Sequence, residues 1–179
     1  NHSALNEIGL AARQLTGEAD VVIRGPRGGF DESLYPAVAR LPGVDAANPA
    51  LELDLVPEGE DEPLRVLALD PLRSTQVQPS LLRSQQNRLS ELLDGDTVAV
   101  SHPVADWLGI TRGGTLRLNG PNGTETLRVV DVLDAEAYGQ RLALMDIAGA
   151  QQAFQRLGRL NRIDVRLAPG TDVDEWLAS

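Results

Sequence analysis

Three neighbouring residues of the sequence carry the side chains of an activated nucleophile. Ser101, His102 and Asp106 could supply a hydroxyl, an imidazole base and an orienting carboxylate. Ser101 and His102 are adjacent at the predicted start of a helix, so their side chains point in different directions and do not form the required line of hydrogen bonds. We therefore interpret Ser101 as the N-cap of that helix and predict that the group has no catalytic role.

A glycine-rich loop at residues 24–30, RGPRGGF, could bind an anion, because it follows a predicted strand and precedes a predicted helix. It lacks the spacing of both the dinucleotide-binding and the P-loop fingerprints. The favoured interpretation is a plain turn with Arg24 and Arg27 in water.

Carboxylates suggest two further kinds of site. Residues 58–62 hold four of them, but they lack the glycine that an EF-hand needs and are flanked by prolines, so they predict a charged hairpin tip. Glu52 and Asp54 lie two residues apart on one face of a predicted strand and could form an acid–base pair, although exposure is the default expectation for them.

Metal and cofactor chemistry has little support. The chain has no cysteine, and its two histidines are His2, near the start of the chain, and His102. Asn122 begins a glycosylation sequon that we interpret as a hairpin turn. Trp107 and Phe154 fit a core better than a ligand site, and Trp176 is expected to be exposed. No catalytic, cofactor-binding or metal-binding residue is predicted.

Composition limits the partners. The 179 residues carry 26 acidic and 16 basic side chains, a net charge of −10, which argues against nucleic acid. No segment of the sequence reaches the roughly 20 apolar residues of a membrane span. The chain begins without methionine and ends in DEWLAS, which resembles the start of a helix, so we expect it to be an excised fragment.

The pattern of apolar residues at 141–168 predicts a strand, a helix and a second strand. The first strand includes Leu142 and Leu144 and extends to Ile147. The helix covers 148–157 and ends at Gly158, and the second strand alternates between a core face and a face in water. The members of these stripes are Ala150, Ala153, Phe154 and Leu157 in the helix, and Ile163, Val165 and Leu167 in the second strand.

Similar patterns predict the other elements. Strands are expected at 19–24, 44–56, 64–69, 97–100, 115–118 and 127–133, and helices at 5–15, 31–41, 87–93 and after Ser101. Asp31 is the predicted cap of the second of these helices.

The fold class that follows from these elements is α+β. Residues 1–17 form an amphipathic helix, residues 18–72 and 140–179 form two halves of one sheet subdomain, and residues 73–139 form a smaller inserted subdomain.

Several stretches resemble the extracytoplasmic domains of bacterial ABC transporter permeases of the FtsX/MacB class. They are VSHPVADWLGITRGGTLRL at 100–118, LAARQLTGEADVVIRGPRGG at 10–29, LPGV at 41–44, Asn48-Pro49, LALDP at 67–71, and Met145-Asp146-Ile147 leading into Ala150-Gln151. Gly113-Gly114 stands where this class usually has Gly-Asp.

The resemblance implies a porter-like split βαβ sheet with a smaller inserted subdomain. It also implies a non-catalytic module between the first two transmembrane helices of a permease in the inner membrane. The implied partners are those helices, a cytoplasmic ATPase, a second permease copy and a periplasmic or lipoprotein partner. Two alternatives remain open: a free-standing small-ligand-binding protein or hydrolase that uses the loop at 24–30 or Ser101, and, from residues 108–118, a cofactor-binding domain of the molybdopterin-enzyme type.

Overall fold

A computed structural model describes residues 19–77, 89–133 and 140–179. Its strands are β1 (Val21–Arg24), β2 (Phe30–Asp31), β3 (Val44–Leu55), β4 (Leu64–Leu69), β5 (Thr97–Ser101), β6 (Thr115–Gly120), β7 (Gly123–Leu133), β8 (Leu142–Asp146), β9 (Arg159–Leu160) and β10 (Arg162–Leu167). Its helices are α1 (Leu34–Ala39), α2 (Pro71–Val77), α3 (Leu89–Leu92), α4 (His102–Leu108), α5 (Ile147–Ala153) and α6 (Val173–Ala178). The predicted α+β class is confirmed.

Within the described residues, eight strands form one mixed sheet in the order β1-β10-β3-β4-β8-β5-β7-β6, while β2 and β9 form a separate short ladder. The strand–helix–strand unit predicted at 141–168 becomes β8, α5 and β10. Its two strands run in the same direction but are separated by β3 and β4, because β8 pairs with β4 and β10 pairs with β3. The unit is therefore a split βαβ arrangement, and its strands pair with those of the first part of the chain as expected.

The sheet also closes on itself. The chain just after β3 pairs with β6, as Asn119 N donates to Val56 O at 3.0 Å and Glu58 N donates to Arg117 O at 2.9 Å. This pairing covers the outer edge of β6, which would otherwise offer unpaired backbone groups. The acidic tip at 58–62 thus projects from a point at which two distant parts of the chain meet.

Apolar side chains fill both faces of the sheet. The enclosed face is covered by α4 and α5, and it buries Leu51 and Leu53 of β3 together with Met145 and Phe154. The same face continues beneath α1 and α6, where Ile163 and Val165 of β10 are buried. The opposite face buries a second group that includes Ala50, Leu67, Leu92 of α3 and Leu144. Strands with both faces buried explain the continuous apolar run of β8.

The strands of the 73–139 segment continue the sheet of the flanking segments, because β5 pairs with β8. Ser101 reinforces this junction: its Oγ donates to Gln140 O at 2.7 Å and accepts from Leu142 N at 3.0 Å. Ser101 is the N-cap residue of α4, but its side chain makes no capping hydrogen bond. The predicted cap position is right, and the predicted capping contact is wrong.

Two helices are shorter than predicted. Asp31 lies in β2 rather than at the helix cap, and its Oδ1 accepts from Ser33 N in the turn before α1. Helix α5 begins one residue early and ends at Ala153, so Leu157 lies beyond it and is 74% exposed. Asp146, for which no capping role was predicted, caps α5 by accepting from Gly149 N at 3.2 Å.

Residues 5–15, for which an amphipathic helix was predicted, lie outside the described residues. Within the described ranges, no helix has the length and apolar character needed to cross a membrane.

Candidate functional site

The candidate nucleophile group does not assemble. His102 Nδ1 and Asp106 Oδ1 lie 3.6 Å apart on the exposed side of α4, one turn from each other. Ser101 is fully buried, and its hydroxyl accepts from Leu142 N of β8 and donates to Gln140 O, two residues before that strand. The hydroxyl therefore acts as a backbone bridge between β5 and β8.

The loop at 24–30 is closed by its own contacts. Gly29 N donates to Pro26 O at 2.8 Å, and the Arg159 guanidinium donates to the carbonyls of Gly28 and Gly29 at 3.1 and 2.8 Å. Arg27 is exposed, as predicted. Arg24 is exposed as well, as predicted, but it also has an ionic partner, because its Nη2 contacts Glu52 Oε1 at 3.2 Å.

Arg24 belongs to an ion-pair network across the four strands β1, β10, β3 and β4. Glu52 of β3 receives Arg24, Arg65 and Arg162, each from a different strand. Arg65 Nε also donates to Asp54 Oδ1 at 2.6 Å. Glu52 and Asp54 share one face as predicted, but arginines occupy their carboxylates, so they do not form an acid–base pair.

The buried part of the network is the pair Arg162 and Asp164 of β10. These residues are 2% and 0% exposed, and Arg162 Nε donates to Asp164 Oδ1 at 2.6 Å. The prediction that this face of β10 lies in water is therefore wrong at Asp164, while it holds at Arg166, which is exposed. An isolated charge in an apolar interior is very costly, so the opposite charge and the hydrogen bonds are what make burial of both groups tolerable.

Burial raises the pKa of both Glu52 and Asp164, while the charge of the neighbouring arginines lowers it. Burial raises the pKa of Glu52, but Arg162 and Arg24 outweigh it and hold that pKa below its usual value. Burial also raises the pKa of Asp164, and Arg162 opposes this effect without cancelling it. An ionised Glu52 held by three guanidinium groups is suited to fixing strands in register and unsuited to proton transfer.

Asn161 extends the same junction through its amide. Its Oδ1 accepts from Glu52 N and its Nδ2 donates to Glu52 O, both at 2.7 Å. The side-chain amide therefore makes the pair of hydrogen bonds to β3 that a backbone residue of β10 would make. Nearby on this face, buried Asn48 donates to Ser74 Oγ at 2.7 Å, which ties α2 to β3. These polar contacts hold β3 at the centre of the fold.

The other residues considered as possible sites lie in the core, in a turn or in surface ion pairs. Phe154 is buried in the enclosed core and Trp107 packs against it, while Asn122 lies in the β6–β7 turn. Glu58 and Glu62 of the acidic tip pair with Arg117 and Arg141. Among the described residues, no group of three or more histidine, aspartate or glutamate side chains is arranged to hold a metal ion.

A signal for the missed network was present in the sequence. Arg162 and Asp164 have opposite charges two residues apart, on a strand expected to pair with the strands that carry Arg24 and Glu52. Matching opposite charges across the predicted neighbouring strands would have placed Arg24, Glu52, Arg162 and Asp164 on one face of the sheet.

The first and last described segments of the chain meet at one side of the fold. Asp20 N donates to Val165 O at 2.9 Å, and Leu167 N donates to Asp20 Oδ2 at 2.8 Å. Just after β10, α6 is anchored by Trp176, whose Nε1 donates to Pro42 O at 2.8 Å. Trp176 is half-buried against α1 and β10, which corrects the expected exposure.

Two solved structures share this fold. The periplasmic region of MacB from Actinobacillus actinomycetemcomitans matches with a TM-score of 0.62 and 12% identity, covering 96% of this chain and 85% of that one. The extracellular domain of the noncanonic ABC-type transporter YknZ from Gram-positive bacteria matches with a TM-score of 0.61 and 12% identity, covering 88% and 86%. One is a periplasmic region and the other an extracellular domain, and at this identity the two matches show the shared fold.

The chain belongs to the MacB-like periplasmic core domain family, which its residues 6–179 match. It is also 28% identical over 176 residues to an uncharacterized ABC transporter permease protein of Mycobacterium tuberculosis. That match covers 92% of this chain, which spans only a fifth of the relative's length. The chain is therefore an extracytoplasmic domain of the type found in MacB-class ABC transporter permeases, as the sequence motifs implied.

Proposed function

We propose that this domain is a non-catalytic coupling module. In this proposal, ATP-driven motion of transmembrane helices moves the domain, which acts on a substrate or signals to a partner outside the membrane. Its partners are the permease's own transmembrane helices, a cytoplasmic ATPase, a second permease copy, and a periplasmic or lipoprotein partner. The parent protein lies in the inner membrane with this domain outside the cytoplasm.

The observation that carries the proposal is the meeting of the first and last strands. A domain inserted between two membrane helices must receive both connections at one side, and β1 pairs with β10 along its whole length. The hydrogen bonds of Asp20 to Val165 and Leu167 continue this pairing to the place where β1 begins and β10 ends. A displacement of either connection would therefore reach both strands together.

The ion-pair network favours transmission as a rigid body. Arg24, Arg65 and Arg162 join β1, β4 and β10 to Glu52 at the centre of the sheet. The proposed division of the chain into residues 18–72 with 140–179 and an inserted 73–139 fits this view, because β5 of the insert is fixed to β8.

The parent gene provides the first test. We expect an apolar span of about 20 residues shortly before the first residue of this chain and another after the last. A parent sequence without those spans would contradict the proposal.

The second test measures distances between nitroxide spin labels on the parent permease by pulsed electron paramagnetic resonance. Because the domain contains no cysteine, Asp61→Cys on the acidic tip gives a single label per domain once cysteines elsewhere in the parent are removed. We expect the distance between two copies to change when ATP is trapped by vanadate. A double variant, Asp61→Cys with Glu175→Cys, should keep its distance within one domain. Unchanged distances between copies would contradict coupling, and changes within a domain would contradict rigid-body transmission.

A further inference from the structure

A groove of about 460 Å³ lies between α1 and α5, above the middle of β3. Its lining is largely apolar and comes from four elements: Tyr35 and Pro36 of α1, Pro49 of β3, Ile147 of α5 and Leu160 of β9. The groove exists because α1 and α5 have only six and seven residues, which leaves the sheet between them uncovered.

The rim of the groove carries two carboxylates, and Arg159 of β9 lies opposite one of them, Asp31. Asp31 and Glu32 line it beside Ser33 and Gln151. The Ser33 hydroxyl and backbone amide hold the pKa of Asp31 below its usual value, so this carboxylate is charged at neutral pH. Glu32 is exposed, and only one of its carboxylate oxygens is engaged with a neighbour in the described part of the chain, through Gln151 Nε2 at 3.2 Å.

The walls of the groove are held in place from both sides. Tyr35 Oη donates to Ala47 O at 3.2 Å, which fixes the ring against β3. Gln151 Nε2 also donates to Arg159 O at 2.9 Å, which ties α5 to β9 across the end of the groove. A groove that is already formed loses little freedom when a ligand enters it.

We propose that this groove binds an extended segment of a partner protein in which an aliphatic side chain is followed by arginine or lysine. The apolar floor fits the aliphatic group, and the acidic rim complements the cation. The same rim, on a chain with a net charge of −10, repels anionic lipid headgroups and nucleic acid. This inference makes no use of membrane coupling, so it and the proposed function can fail independently.

The test uses the ¹⁵N-labelled chain and three acetylated, amidated peptides: Leu-Arg-Leu-Arg, Leu-Glu-Leu-Glu and Ser-Arg-Ser-Arg. We expect Leu-Arg-Leu-Arg to shift the side-chain amide signals of Gln151 and the backbone signals around Tyr35 and Leu160. The other two peptides should bind more weakly. Glu32→Gln should weaken binding of the first peptide about fivefold, as for loss of one partly exposed ion pair. Asp61→Asn, a matched loss of charge on the distant acidic tip, should change nothing.

A charge exchange makes the test specific. Glu32→Lys should reverse the preference, so that Leu-Glu-Leu-Glu binds better than Leu-Arg-Leu-Arg, and Pro36→Lys should also weaken the basic peptide. The inference is overturned by equal binding of all three peptides, by shifts centred on residues 58–62, or by a preference that Glu32→Lys leaves unchanged. Binding of phosphatidylglycerol vesicles that shifts the Gln151 signals would also overturn it, because the groove would then select a membrane.

Discussion

Arg162 is the residue on which the polar face of the sheet depends. Its guanidinium group contacts both Asp164 in its own strand and Glu52 in the neighbouring strand, and it is 2% exposed. Removing it would leave Asp164 buried without its arginine and would leave Glu52 with two partly exposed arginines. The cost of removing one member of a buried pair exceeds the net contribution of the intact pair, because the remaining charge keeps its desolvation penalty.

We expect Arg162→Met to lower the free energy of unfolding by about 3–5 kcal/mol. The double variant Arg162→Met, Asp164→Leu should lose much less than the sum of the two single variants, since neither charge is then left buried alone. Urea denaturation followed by circular dichroism measures each value. Arg117→Gln serves as the control, because its pair with Glu58 is about half exposed, and it should change stability by less than about 1 kcal/mol. Additive single-variant losses would contradict the coupling.

Glu52 predicts a pH dependence whose sign follows from its lowered pKa. Its charge stabilises the folded state above about pH 4.3, the ordinary pKa of glutamate, and this contribution is lost as the pH falls through the lower folded-state value. The raised pKa of Asp164 acts in the opposite direction, but its main causes, burial and the opposing Arg162, are present in both wild type and Glu52→Gln, and only the smaller contribution of the Glu52 charge is removed. We expect the stability difference between them to be constant from pH 7 to 5 and to shrink toward pH 3. A difference that grows toward pH 3 would contradict this assignment.

At the level of single residues, the sequence predicted that Ser101, His102 and Asp106 would not form a triad, but it did not predict the contacts that Ser101 makes instead. The adjacency of Ser101 and His102 was enough to exclude a triad. No local pattern could show that Ser101 bonds to the backbone around residue 141, because that contact joins segments 40 residues apart. The Arg162 network is different, because its charges lie on strands that the sequence predicted to be neighbours, and only the pairing of individual residues across those strands was missing.

At the level of secondary-structure elements, the junction between α5 and the loop before β5 is a close backbone contact. Gly149 lies in the first turn of α5, and a Cβ placed there would lie 2.4 Å from Gly95 O. Such a distance cannot be relieved by rotating a side chain, because the opposing atom is backbone. Glycine at this position therefore allows the split βαβ unit to press against the 73–139 segment.

We expect Gly149→Ala to destabilise the fold by about 2 kcal/mol. Alanine would favour an unhindered helix by about 1 kcal/mol over glycine, so a loss would show that the contact with Gly95 outweighs helix propensity. Thermal or urea unfolding measures the change. Gly28→Ala is the matched control, because a Cβ there meets nothing within 4 Å, and we expect almost no effect. A stabilised Gly149→Ala variant would contradict the close approach.

Element types were predictable from periodicity, while helix ends were not. The apolar stripe at 148–157 continued through Leu157, yet α5 ends four residues earlier and Gln155 takes a positive φ of 55°. Phe154 enters the enclosed core at that point, and Arg159 begins the β9 ladder, so tertiary contacts set the end of the helix. The predicted strands at 44–56 and 64–69 agree closely with β3 and β4, because each alternates against a long pairing partner.

At the level of the whole molecule, the sheet is continuous across the proposed division of the chain. The segment from 73 to 139 joins β8 through β5 at one side and returns to the end of β3 through β6 at the other. The enclosed core accordingly contains side chains from both parts, such as Leu53 and Met145 with Val98 and Leu118. A shared core and two strand junctions predict that the parts unfold together, even though one is inserted into the other along the chain.

The two tryptophans allow a direct test of this cooperativity. Trp107 lies in α4 of the 73–139 segment, with the Arg141 guanidinium 3.9 Å from its ring centre, and Trp176 lies in α6 and is bonded to Pro42. Trp176→Phe leaves Trp107 as the fluorescent reporter, and Trp107→Phe leaves Trp176. In each variant we expect the fluorescence and circular dichroism transitions in urea to coincide in midpoint and slope. Comparing the two signals within one variant removes the effect of the substitution itself. If Trp107 fluorescence changed at lower urea than circular dichroism, the inserted segment would unfold independently, and motion could not pass through it as part of one rigid body.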